Sequence, residues 1–270
     1  MVQYPPSHTQ NTADRQYMVD FSPGYIVLLI TTGLIAGVIN TMAGGGSNLT
    51  IPALMIMGLP ADIANATNRV GVFLQSLVAI KGFKNHDKLE TSDIGPILLP
   101  TLIGGIIGAI AASFSPEWIL KPLLLSTMVG MALIILISPS TIMPEPGVVP
   151  KKVKDSPMAV VTLLLAGFYG GFVQAGVGFI LIAALAGSLR YDLVRTNALK
   201  MVCTLAFTAL ALVIFIWQDQ ILWVPGLILA VGTMVGAALG VRMAIKVQAN
   251  TLKWFLFIMT LFACGAAVIF

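Results

Sequence analysis

Asn40–Pro52 reads NTMAGGGSNLTIP. Three consecutive glycines, Gly44, Gly45 and Gly46, separate one apolar run from a shorter run that carries Asn48 and Thr50. The surroundings are strongly apolar: 57% of the residues are hydrophobic and 10% charged, with a mean hydropathy of +0.94. Such values lie outside the soluble globular range and point to a polytopic membrane protein. At roughly 20 residues per span plus a short loop, the chain holds about ten segments and has no room for an extramembrane domain.

The glycines therefore interrupt a membrane segment. Runs at 24–42, 66–82, 93–113, 118–138, 157–175, 196–216, 221–240 and 251–270 are each long enough to span as helices. Two others, 47–58 and 178–187, are too short. They must be half-helices, re-entrant segments or broken crossings, which persist only where protein or a watery cavity satisfies the freed backbone. Trp118, Trp217, Trp223 and Trp254 sit near segment ends, as an interfacial aromatic belt requires. Residues 1–22 are polar, lack the pattern of a cleavable signal peptide and are expected to be disordered.

Both short runs hold the same place in an internal repeat. GLPADIANATN at 58–68 aligns without gaps on GSLRYDLVRTN at 187–197, pairing Thr67-Asn68 with Thr196-Asn197. After a small shift, AGGG at 43–46 matches AGVG at 175–178. The halves, 23–138 and 157–270, are joined by a Pro- and Lys-containing linker at 139–156. Basic residues orient them. Lys81, Lys84 and Lys88, the linker lysines Lys151, Lys152 and Lys154, and Arg242 and Lys246 define cytoplasmic loops by the positive-inside rule. Arg190 and Arg195 join them if the second short run crosses the membrane. If instead the short runs enter and leave on one face, Arg242 and Lys246 fall outside. The predicted fold is all-α and polytopic: an inverted repeat of two five-segment halves, with eight full spans, two short broken or re-entrant segments and both termini outside.

Gly-interrupted short segments at matching places in two inverted halves mark a transporter's binding site. Gly44, Gly45 and Gly46, with Gly176 and Gly178, break the chain and expose backbone N–H groups, which bind anions at helix N-termini. Asn40, Ser47, Asn48, Thr50 and Gln174 add hydrogen bonds. The pairs Thr67-Asn68 and Thr196-Asn197 open the next long helices, where the threonines are equally natural caps. Arg69 and Lys200 supply charge if they face a cavity, or snorkel to an interface if they do not. Asp62 and Asp192 are the acids nearby, suited to capping, to pairing with Arg69 or Arg195, or to coupling and gating. An interior-negative membrane supplies about 2.3 kcal/mol per elementary charge per 100 mV, which drives efflux of a monovalent anion without a coupling ion.

Nothing suggests catalysis, a cofactor, a metal or nucleic acid. His8 and His86 have no acid or cysteine at ligand spacing, and Cys203 and Cys264 lie inside apolar segments as packing residues. The expected partners are a small anion and the lipid bilayer. The small-residue ladders Gly33/Gly37, Gly104/Gly108 and Gly232/Gly236/Gly240 suit close helix packing within the protomer or at a homodimer interface.

The stretch AGVINTMAGGGSNLTIPALMIMGLPADIANATN, with its degenerate second copy AGFYGGFVQAGVGFILIAALAGSLRYDLVRTN, resembles the TauE/SafE family, the sulfite exporter TauE family, over essentially the whole chain after the tail. Where many members of that family carry Thr-Ser, this chain has Thr67-Asn68 and Thr196-Asn197. The resemblance implies transport, mainly outward, of sulfite or organosulfonates across a prokaryotic inner membrane. A passive anion channel, or a carrier of another small organic anion, would use the same residues.

Overall fold

Proline and glycine set the element boundaries. The computed structural model describes residues 2–4, 17–19, 22–89, 91–116, 118, 119, 122, 123, 126 and 149–246. Helix α1 (Pro23–Met42) ends at the glycine break. Helix α2 (Ser47–Ile56) ends at Gly58, which has a positive φ. Pro60 precedes α3 (Ala61–Asn85), and α4 is Ile94–Ser113. The second half repeats the order: α5 (Pro157–Phe172), a break, short α6 (Val177–Ile182) widening into a π-helical stretch Ala183–Ser188, then α7 (Leu193–Trp217) and α8 (Trp223–Lys246). In the tail expected to be disordered, Val2–Tyr4 pairs antiparallel with Tyr17–Val19.

The distribution of polarity is that of a helical membrane protein. Ile107, Leu165, Val213 and Val231 point outward and are exposed, whereas Arg69, Gln75, Asn197 and Lys200 are buried. A soluble protein has the opposite arrangement. Four described helices, α1, α4, α7 and α8, are long and apolar enough to cross a membrane. Helix α3 is equally long but more polar, and α5, at 16 residues, stops short of the span expected to Ala175 because the chain breaks there. The expected spans 118–138 (apart from a few residues) and 251–270, and most of the linker, lie outside the described residues.

Helix pairing follows the glycine ladders. Gly33 and Gly37 of α1 lie against the backbone of α8 from Leu229 to Ala237, and Gly104 and Gly108 of α4 lie against Leu164–Phe172 of α5. Chain numbers rise together along both contacts, so each pair runs parallel. Gly232, Gly236 and Gly240 face α1 in the same way. The ladders are thus used inside the protomer, which leaves them unavailable to the homodimer that was their other expected use.

Each broken segment packs back against the start of its own half's first helix. Leu29 near the start of α1 packs with Leu54, Met57 and Leu59 at the end of α2, and with Leu222 before α8. Val153 before α5 packs with Leu189 and Tyr191 after α6. Lys151 N donates to Leu189 O at 2.8 Å and the Tyr191 hydroxyl donates to the Asp93 carboxylate. Phe83 packs with Leu193 and Ala244. The four basic loops around Lys84, Lys151, Arg190 and Lys246 therefore gather on one face.

The observed helices recur at an interval different from that of the sequence alignment. Gly44 and Gly176, both at positive φ, Asp87 and Asp219, also at positive φ, and both ends of the 25-residue helices α3 and α7 recur at one constant sequence interval. By helix position Asn65 matches Asn197, and Asn68 matches Lys200. The gapless pairing of Thr67-Asn68 with Thr196-Asn197 differs from this match of helix positions by three residues. Three residues is almost one helical turn, so the two alignments keep nearly the same face and are hard to tell apart from sequence.

Candidate functional site

The breaks between α1 and α2 and between α5 and α6 cross at the centre of the molecule, backbone on backbone. Gly178 N donates to Gly44 O at 3.2 Å. A Cβ built on Gly44 would lie 2.2 Å from Gly178 Cα, and one on Gly178 would lie 2.1 Å from Gly44 Cα. Gly44 also has φ +99°, a conformation that L side chains rarely adopt. Only glycine at both positions permits the crossing.

Beside the crossing lies a small cavity lined by polar and apolar residues together. The first break contributes Asn40, Gly44 and Ser47, and the second contributes Gln174 and Gly178. Helix α3 adds Val72 and Gln75, and α7 adds Lys200, Met201 and Thr204. The space it offers is about that of one water molecule.

Lys200 is the charged side chain on this wall among the described residues. Its Nζ donates to Asn197 Oδ1 at 2.7 Å and to Thr41 O, in the last turn of α1, at 3.2 Å. A cation at a helix carboxyl end meets both orphan carbonyls and the negative end of the helix dipole. Asn197 is held by Lys200, and its Nδ2 has no partner.

Arg69 does the corresponding work at the other break and does not line the cavity. Its Nη1 donates to Gly170 O at 2.9 Å, and its Nη2 to Gly171 O at 2.6 Å and Phe172 O at 3.4 Å. Asn65 Nδ2 adds a bond to Phe172 O at 3.0 Å. These are the last carbonyls of α5, left without helical donors where the chain breaks. The guanidinium also lies 4.9 Å from the ring centroid of Phe215. The expectation that both cations face one cavity is thus met by Lys200 alone; neither cation snorkels.

The remaining predicted residues fall around the cavity or behind it. Asn68 braces α2 against α3, accepting from Thr50 Oγ1 at 2.6 Å and donating to Ser47 Oγ at 3.1 Å. Asn48 is buried, with Oδ1 unpartnered. Gly45 packs under the Phe179 ring, Gly46 against Ala36 O, and Gly176 supplies the left-handed residue before α6. Thr67 and Thr196 are not caps, since α3 and α7 begin upstream of them; Thr67 Oγ1 accepts from Leu222 N at 3.1 Å and Thr196 Oγ1 donates to Tyr191 O at 3.2 Å. Some of the predicted backbone amides are already engaged. Gly46 N is held by Asn40 Oδ1 at 2.8 Å and Gly44 N by Ile39 O at 2.9 Å.

Asp192 caps α7, accepting from Val194 N and Arg195 N at 3.1 and 3.0 Å, and pairs with Arg195 at 3.3 Å. Asp62 stands in the first turn of α3. Neither lines the cavity. Sequence reading missed Gln75 and Thr204. The available signal was helical spacing: Gln75 lies two turns beyond Asn68 on the same face of α3, in an otherwise apolar run.

A family model described as "Sulfite exporter TauE/SafE" matches residues 29–267. Among similar proteins is probable membrane transporter protein ORF9 of a Sinorhizobium species, 26% identical over 246 residues that cover 90% of this chain and 92% of the relative. A probable membrane transporter protein of Haemophilus influenzae is 28% identical over 227 residues, 83% of this chain and 87% of its own length. Probable membrane transporter protein YfcA of Escherichia coli K12 is 26% identical over 225 residues, 83% and 82% of the two chains. The family match takes in every described helix but the first residues of α1, with both breaks and the cavity between them, and the chain belongs to the sulfite exporter TauE/SafE family.

Proposed function

We propose that the protein exports a small sulfur oxyanion, sulfite or an organosulfonate, across the cytoplasmic membrane by alternating access. The observation that carries this reading is the small cavity between two chain breaks with Lys200, Ser47 and Gln174 on its wall. One cation in a low-dielectric pocket favours a monoanion, because a second buried negative charge would have no partner. The sulfur oxyanion comes from the family description.

The halves act as an inverted repeat. The α1–α2 and α5–α6 hairpins open toward opposite faces and meet at Gly44 and Gly178, which suits rocking of one half against the other about a central site. Substrate oxygens bond to Lys200, Ser47, Asn40 and Gln174, while Asn68, Asn197 and Arg69 hold the breaks in shape. The face that gathers the basic loops is cytoplasmic by the positive-inside rule, and the two terminal spans of the halves complete a topology with both termini outside. A cavity with room for about one water molecule supports a carrier over a passive anion channel.

Flux of sulfite and a small sulfonate into and out of proteoliposomes, with the potential clamped at each sign, tests the proposal. Saturable flux that reverses with the sign of the potential is expected. Folded protein that moves neither anion would overturn the substrate assignment.

A further inference from the structure

We propose that Gln75 makes the cavity select an anion that carries its own hydrogen-bond donor, such as a hydroxyl, over an equally charged anion that carries none. The inference deepens the oxyanion reading and rests on it. Gln75 is fully buried in α3, lines the cavity, and has no partner for either Nε2 or Oε1. Because both amide atoms are unpaired, the argument holds whichever way the amide is turned. Across the cavity, Gln174 donates Nε2 to Thr208 Oγ1 at 3.2 Å and leaves Oε1 unpaired.

A buried amide needs an acceptor and a donor together. A bare oxyanion only accepts. It would satisfy Gln75 Nε2 and Lys200 Nζ but leave Gln75 Oε1 buried and unmet. An oxyanion with a hydroxyl answers both ends of the amide: its charged oxygens accept from Lys200 and Nε2, and its O–H donates to Oε1. A site built to hydrogen-bond a hydroxyl rejects the analogue without it, since the site's own polar atom is then stranded. An apolar pocket discriminates such pairs poorly. Within the proposed substrate class, hydrogensulfite and hydroxylated sulfonates fit this requirement; simple alkanesulfonates do not.

The test uses matched pairs that differ by one hydroxyl, hydroxyethanesulfonate against ethanesulfonate and glycolate against acetate, competing for binding to the purified full-length protein and for flux in proteoliposomes. The hydroxylated member of a pair is expected to bind about tenfold more tightly or better, the size of one buried unmet polar atom. Gln75→Met should bring the ratio close to one. If that variant does not fold, Gln75→Asn, which withdraws the amide from the cavity, should shrink the ratio in the same direction. Equal handling within both pairs by the unaltered protein overturns the inference and leaves the oxyanion reading standing. A hydroxyl preference that persists undiminished in folded Gln75→Met or Gln75→Asn overturns the assignment to Gln75. Glycolate preferred over acetate with neither sulfonate bound overturns the organosulfonate branch of the sulfur reading and supports the inference. Absence of binding by all four anions overturns the inference and the organosulfonate branch of the oxyanion reading.

Discussion

Gly44 and Gly178 touch through their backbones, with Gly178 N donating to Gly44 O at 3.2 Å and no space for a Cβ on either residue. This contact joins the halves where the two breaks cross, so its consequences are both structural and functional. Gly44→Ala and Gly178→Ala should each destabilise the protein by about 1–3 kcal/mol through overpacking, with Gly44→Ala worse because of its positive φ. Gly95→Ala is the control, as a Cβ there meets nothing within 4 Å. Thermal unfolding in detergent should lower the melting temperature of the first two variants and spare the third.

Arg69 and Lys200 make parallel bonds with different consequences. Each closes the carboxyl end of the other half's first helix, but only Lys200 lines the cavity. Arg69→Met leaves the carbonyls of Gly170 and Gly171 buried without donors and should cost about 2–4 kcal/mol of stability. Denaturant unfolding checks this; a midpoint unchanged from the parent would exclude the capping role.

Lys200→Gln keeps a donor for Thr41 O while removing the charge. Anion flux should fall by about ten- to a hundredfold, the range of one charge-assisted hydrogen bond, with a smaller loss of stability than in Arg69→Met. Undiminished flux in folded Lys200→Gln would show that the anion is bound elsewhere.

The convergence of the basic loops fixes a labelling pattern. Single cysteines replacing Lys88, Lys152 and Arg190 should react with an impermeant maleimide only from the cytoplasmic side of membrane vesicles, and one replacing Asp219, in the turn before α8, only from the other side. Labelling of Lys88→Cys and Arg190→Cys from opposite sides would break the shared face and the inverted arrangement with it.

Asn68 tests whether bracing of the break matters to transport. Asn68→Ala removes the bonds to Thr50 and Ser47 that fasten α2 to α3, and should lower stability by about 1–2 kcal/mol. Affinity should fall as well, because Ser47 lines the cavity. Equilibrium binding on the folded variant measures the second effect separately from the first.

Composition alone determined that this is a membrane protein, because a chain with 57% hydrophobic residues has no other way to bury its apolar surface. The two short runs and their glycines located the breaks, since a helix interrupted at membrane depth must be sheltered by protein or water. The dispersed lysines and arginines grouped the loops. Local pattern also marked Lys200, Ser47 and Gln174 as polar groups beside the breaks. It could not say that Gly44 would lie on Gly178, because that contact joins segments far apart in sequence and depends on helix crossing geometry. Nor could it separate Lys200 from Arg69: both are cations on long helices, and only the tertiary placement of the α5 carboxyl end, with its unpaired carbonyls, draws Arg69 away from the cavity. Gln75 was invisible for the same reason, since one amide in an apolar run acquires meaning only when packing buries it against a cavity and denies it a partner.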